Sequence, residues 1–223
     1  MHIQFVGLPA SGKTTIVDEL INKYPDSFIR GRKRYKSISK LLLSNPVLFI
    51  KSIWSARSVL WISICSVQRS KVSNKNKVLA ILGLILNLSN YKSSLLSSKK
   101  HNFIILWDEL ILQRTLSIFA YSEKLANDKS IKKFVKWSSS HCQTTPILVS
   151  LNLEIQLKRL LERGVPKRMI KMDTSTIMKV SLVQHETLKK IIEELENYIV
   201  IDTSFNINEN INKIIQFTKQ VEK

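Results

Sequence analysis

The residues with the clearest chemical purpose are Gly7, Gly12, Lys13 and Thr14, set in the run Gly7-Leu8-Pro9-Ala10-Ser11-Gly12-Lys13-Thr14. The spacing is that of a phosphate-binding loop, GxxxxGK[ST], matched at every fixed position. Glycine at both ends lets the backbone turn tightly enough for successive N–H groups to face phosphate oxygens, and a helix starting near Lys13 adds the partial positive charge of its N-terminus. Lys13 then reaches the β- and γ-phosphates and the Thr14 hydroxyl binds Mg²⁺. Gly7, Pro9, Ala10, Ser11, Gly12, Lys13, Thr14 and Thr15 form the expected binding set.

Two further groups carry chemistry. Asp108 and Glu109 end the apolar run Phe103-Ile104-Ile105-Leu106-Trp107, which resembles a Walker B strand. A parallel strand buried on both faces reads as a continuous apolar run, and an acid at its carboxyl end emerges beside the phosphate loop, where it holds Mg²⁺ directly or through water. The plainer reading of Asp108 is a cap on the next helix. Arg159, Arg163 and Arg168 gather around Gly164 and Pro166, and the first two, four residues apart, share a helical face. Guanidiniums beside such a break suit a phosphoryl group in transfer, whose charge is spread over several oxygens. Basic residues near a helix C-terminus, favoured by its dipole, are the alternative.

These groups need elements to position them. Ile3, Phe5 and Val6 supply a strand before the loop, and Ile16, Val17, Leu20 and Ile21 a helical stripe after it. Tyr24-Pro25-Asp26 breaks that helix and residues 27–30 make a second strand. The basic run 31–36 follows directly, at the carboxyl end where a sheet of this kind binds ligands; it faces the acceptor or forms a solvated loop. Residues 38–100 are apolar, serine-rich and dotted with lysine. Pro46, Lys51 and Arg57 interrupt the first apolar piece, and the second offers about a dozen apolar-rich positions against the roughly 20 needed to cross a bilayer. Buried helices are expected there, with an amphipathic surface toward a membrane or partner as the alternative, and Trp54 and Trp61 on one face. Beyond the acids come a helix over 110–125, with Gln113 and Arg114 about a turn away, and a basic helix over 130–140. A strand over 146–151 beside the first, a long helix over 181–197, a fifth strand over 198–202 and a helix over 207–221 complete the chain.

The 223 residues suit one domain. Cys65 and Cys142 stand far apart with no CxxC or Cys/His cluster, which argues against a disulfide framework or structural zinc site and fits a reducing compartment. The first strand begins at once, leaving no room for a leader ahead of it, so a cytoplasmic protein is expected. Lys and Arg number 35 against 17 Asp and Glu, a net charge of +18. Such a surface draws nucleotides, nucleic acid or anionic lipid, although a lysine-rich, AT-biased coding sequence gives the same excess.

The order of parts resembles the P-loop nucleoside and nucleotide kinases over nearly the whole chain, and 159–168, RLLERGVPKR, is similar to the lid of thymidylate kinases, as Val200-Ile201-Asp202-Thr203 is to their last strand. The resemblance implies a three-layer α/β/α fold, one P-loop kinase-like domain over 1–223 with a five-stranded parallel sheet in order 2-3-1-4-5. Residues 38–100 would be a helical acceptor-binding insert and 153–173 a lid. It implies ATP and Mg²⁺ as cofactors and transfer of the γ-phosphoryl group to a hydroxyl or phosphate of a small nucleoside-, nucleotide- or sugar-like molecule. By the same resemblance Lys13 stabilises the phosphates, Thr14 and Asp108 hold the metal, Glu109 orients or deprotonates the acceptor, and Arg159, Arg163 and Arg168 close over the transferring group. Thymidylate kinases have Asp-Arg where this chain has Asp108-Glu109, which argues against a thymidylate acceptor. Many relatives place an acidic base at the end of the second strand; Arg30 stands there, leaving Asp108 or Glu109 as the base. A polynucleotide 5′-hydroxyl acceptor, a lipid-linked or glycan acceptor, and a nucleotide-gated protein docking on a membrane or partner remain open.

Overall fold

The computed structural model describes residues 1–31, 34–69, 72–98, 103–121, 127–166 and 169–221. Among these, β1 (His2–Gly7), β2 (Phe28–Arg30), β3 (Ile104–Trp107), β4 (Thr145–Ser150) and β5 (Ile199–Asp202) form one parallel sheet in order β2-β3-β1-β4-β5, the order that the resemblance implies. Side chains alternate across it. Ile3, Phe5, Ile104, Leu106, Ile147, Val149 and Ile201 face one core, which α1 (Lys13–Lys23) and α9 (Ile207–Val221) cover. Val6, Ile105, Trp107 and Leu148 face the other, under α3 (Pro46–Gln68), α4 (Asn74–Ser98), α5 (Ile111–Phe119), α6 (Asp128–His141) and α8 (Thr174–Glu193). The period of two in the strands therefore produces the three layers directly.

The insert is helical, as expected: α2 (Ile38–Ser44), capped by Ser37, then α3, opened by Asn45 and Pro46 at its first turn, then α4. Asn45 accepts from Leu48 N at 2.9 Å, and proline fits where no intrahelical donor is needed. Two expectations are corrected. Both α3 and α4 are long and apolar enough to cross a bilayer by length and composition, because few charged residues fall within their apolar stretches, whose mean hydropathy is 1.4 and 1.3. And α3 is not a buried helix: only 22% of its most apolar window is covered, against 50% for α4. The helix α8 begins at Thr174 rather than near 181, because Asp173 accepts from Thr176 N at 2.7 Å and starts it early.

The carboxyl edge of the sheet is locked by Trp107. Its indole N–H donates to His2 Nδ1 at 3.1 Å, and burial together with the neighbouring N-terminal charge pulls the His2 pKa down to about 4, keeping the ring a neutral acceptor. Gly31 lies flat on the other side of the indole: a Cβ there would stand 2.4 Å from Trp107 Cδ2. Gly31→Ala is expected to cost about 1–3 kcal/mol, since a buried indole has nowhere to move, and a urea midpoint equal to wild type would contradict the packing.

Candidate active site

The phosphate-binding loop leaves β1 at Gly7 and enters α1 at Gly12, with Ala10 and Gly12 in the left-handed region, φ 62° and 85°. A Cβ at Gly7 would meet Val149 O at 2.5 Å, so only glycine lets the loop start pass this close to β4. The first turn of α1 has no side-chain cap, leaving its N–H donors directed out of the helix. Pro9 and Ala10 are half-buried, Ser11 is buried, and Thr14 and Thr15 are exposed. The loop is therefore built as a cradle of backbone donors with two threonine hydroxyls at its open end.

Two amides hold it in place, and neither role was read from the sequence. Gln113 of α5 accepts from Gly7 N at 2.9 Å and donates to Gly7 O at 3.0 Å, replacing a missing ladder partner with its own carboxamide. Gln156, fully buried on α7 (Leu153–Arg163), donates to Pro9 O at 3.1 Å. The signal for either was only a glutamine on a helix, a residue type usually placed at the surface.

Lys13 Nζ donates to Gly7 O at 2.7 Å and Leu8 O at 2.8 Å, with Ser11 Oγ at 3.3 Å. Burial lowers its pKa to about 8, opposed by the charges of Glu109 and Asp108 and aided by that of Arg163. The ammonium thus stands in the field of both acids and of one lid arginine. The structure brings together what lies ninety to one hundred and fifty positions apart in the chain.

Asp108 ends β3 and pairs with Arg30 at 3.5 Å; Arg30 also reaches Asp18 of α1 at 2.5 Å. The cation at the end of β2 therefore bridges two acids. Glu109, more exposed, pairs with Arg114 at 3.4 Å, and the Asn87 carboxamide of α4, turned so that its oxygen faces the guanidinium, accepts from Arg114 Nε at 2.8 Å. Arg159 donates to Thr203 O at 3.4 Å; Arg163 is exposed one turn further along α7. Gly164, φ 89°, ends the helix. Arg168 lies outside the described residues, as do Arg32 and Lys33 of the basic run. Of that run, Arg34 is exposed and Tyr35 is buried, its backbone bracketed by the Asn90 amide at 2.8 and 3.0 Å.

Beside Gly12 a cavity of about 190 Å³ opens between α1, α7 and the turn after β5. Gly12, Thr15, Arg159, Thr203 and Phe205 line it, offering a guanidinium and an aromatic ring. Those are the surfaces on which a planar heterocycle stacks. Among the described residues no group of three or more His, Cys, Asp or Glu side chains is placed to hold a metal by itself. Thr14 is exposed at the open end of the loop and the Asp108 charge acts on Lys13, so the two oxygen donors expected for Mg²⁺ both belong to the surroundings of that ammonium.

No protein-family model and no curated protein matches the chain. Solved structures do. Deoxyadenosine kinase from M. mycoides with dCMP and dCDP bound aligns over 99% of this chain and all of its own, at 15% identity and a TM-score of 0.52. The same enzyme with dATP aligns at 14% identity over 98% and 99% of the two chains, again with a TM-score of 0.52. Sheet order, phosphate loop and whole-length alignment together show that this chain has the α/β fold of the P-loop nucleoside kinases.

Proposed function

We propose that the protein is an ATP-dependent phosphotransferase that moves the γ-phosphoryl group to a small nucleoside-, nucleotide- or sugar-like acceptor. The observation that carries the reading is the charge arrangement at Lys13: one partly desolvated ammonium on the phosphate loop, in the field of Asp108, Glu109 and Arg163. Phosphoryl transfer needs little covalent help from protein and much positioning and electrostatics, which is what this arrangement offers.

In this mechanism the adenine stacks in the cavity between Arg159 and Phe205, and the phosphates lie along the loop amides. Lys13 leaves the carbonyls of Gly7 and Leu8 to bind the β- and γ-phosphates. Mg²⁺, held by Thr14 and Asp108, would neutralise charge on those oxygens. Arg163 closes on the transferring group, and Arg168 is assigned the same role by the sequence pattern. Glu109 takes the acceptor proton, its carboxylate aimed by Arg114. The acceptor lies over the carboxyl ends of β2 and β3, against the insert. The fold neighbours that carry deoxynucleotides support a nucleoside or nucleotide among these acceptors.

The direct test is Mg²⁺-dependent transfer from γ-labelled ATP into pooled nucleosides, nucleotides, sugars and short oligonucleotides. Label in a small acceptor is the expected result; ATP binding with no transfer to any pool would overturn the reading. A second expectation concerns pH. Phosphates raise the Lys13 pKa above its value of about 8 in the free protein, so the free protein alone loses the proton above that pH. Affinity for ATP is expected to be level below pH 8 and to fall above it, approaching about tenfold per pH unit. Titration with a fluorescent nucleotide checks this, and a flat profile would remove Lys13 from the phosphate contacts.

A further inference from the structure

Between Asp26 and Asp108 the chain has no acidic residue and fifteen lysines and arginines; the rest is close to balance, with 20 cations against 17 acids. Nearly all the excess charge therefore belongs to the segment that contains the insert. The same segment carries a line of exposed apolar side chains. Leu43 at the end of α2 is 88% exposed, and along α3 follow Val47, Ile50, Trp54 and Trp61, each more than half exposed. At about 100° per residue, Val47, Ile50, Trp54 and Trp61 fall within about 60° of one another. Lys51 and Arg57, both exposed, flank the line on either side, and the Arg57 guanidinium lies 4.2 Å over the Trp54 ring.

The opposite face of α3 is fixed to the domain. Leu48, Ser52, Ala56, Val59, Ser63 and Val67 are buried, Ser89 donates to Ser52 Oγ at 2.8 Å, and Trp137 donates to Ser55 O at 2.9 Å. Small residues bring α3 close to α4 and hold it lengthwise on the surface, so it cannot turn to span a bilayer without leaving the core. What it presents outward is an apolar ridge with two indoles and a cationic border.

We propose that the α2–α3 face docks the protein on an anionic membrane surface. The ridge enters the interface, Trp54 and Trp61 sit at headgroup level, and Lys51, Arg57 and the acid-free segment around them meet lipid phosphates and carboxylates. Charge decides among occupants. A second copy paired through the same face would set Lys51 and Arg57 against their own counterparts with no acid anywhere in residues 27–107 to receive them. A nucleic acid would match the charge but leave the ridge of Leu43, Val47 and Ile50 in water. An anionic bilayer satisfies both.

The test is flotation of the full chain with vesicles of phosphatidylcholine alone and with about one third phosphatidylserine. Expected is a partition at least about tenfold stronger on the anionic vesicles, weakening as salt rises. Tryptophan emission should shift to the blue on binding, reporting Trp54 and Trp61 because Trp107 and Trp137 are already buried. The Trp54→Ala/Trp61→Ala pair should lower the partition about tenfold or more with an unchanged unfolding midpoint, and Lys51→Glu/Arg57→Glu should weaken the preference for anionic lipid. Equal binding to both vesicles, binding that the tryptophan pair does not affect, or a wild-type dimer that this pair dissociates without any vesicle binding would each overturn the proposal.

Discussion

Lys13→Ala is expected to lower phosphoryl transfer by about three orders of magnitude or more while leaving the fold intact. The loss is large because the ammonium sits at the loop where charge gathers in the transition state, and partial desolvation strengthens every interaction it makes there. The fold survives for a structural reason. Among the described residues the lysine bonds Gly7 O, Leu8 O and Ser11 Oγ, at the mouth of the loop where water can replace it, whereas the loop itself is held by Gln113 and Gln156. Single-turnover transfer from labelled ATP, with circular dichroism on the same preparation, checks both halves. A folded variant with undiminished transfer would remove the basis of the proposed activity.

Glu109→Gln is expected to reduce kcat by about 10²–10⁴ while ATP affinity changes by no more than about threefold. Glutamine keeps the acceptor oxygen that Arg114 engages at 3.4 Å, so the side chain stays aimed while losing the capacity to take a proton. Asp108 is the less suited base, because the metal it would help to hold would compete for its carboxylate. The split between kcat and affinity is the informative readout. If transfer is unchanged, the acceptor needs no base at Glu109, as for an acceptor phosphate that is already ionised.

The parts of the architecture that were legible in the sequence are those whose signals are local. The phosphate loop, the β-rich run of Ile3, Phe5 and Val6, and the apolar run ending at Asp108 each declare themselves within ten residues, and α9 begins and ends where its apolar periodicity does. The insert was harder because α3 is apolar on both sides. Periodicity reports a difference between faces, and here burial of one face is matched by exposure of Trp54 and Trp61 on the other. The support of the site was hidden for another reason. Gln113 and Gln156 act on backbone atoms 106 and 147 positions away, and Arg30 takes its meaning from Asp18 and Asp108. Such roles exist only once the elements are packed.

Those two glutamine bonds also set when the chain can first grip a phosphate. The motif is complete by Thr14, yet the carbonyls of Gly7 and Pro9 find their amide partners only after α5 and α7 have docked on the sheet. A chain emerging from the ribosome must be synthesised beyond Gln156 before the cradle has its final shape, so nucleotide capture arrives late in maturation and not with the first βα unit. Long-range closure of this kind is slow relative to local helix formation. A bound nucleotide would accordingly stabilise the finished molecule and give partly folded forms little help.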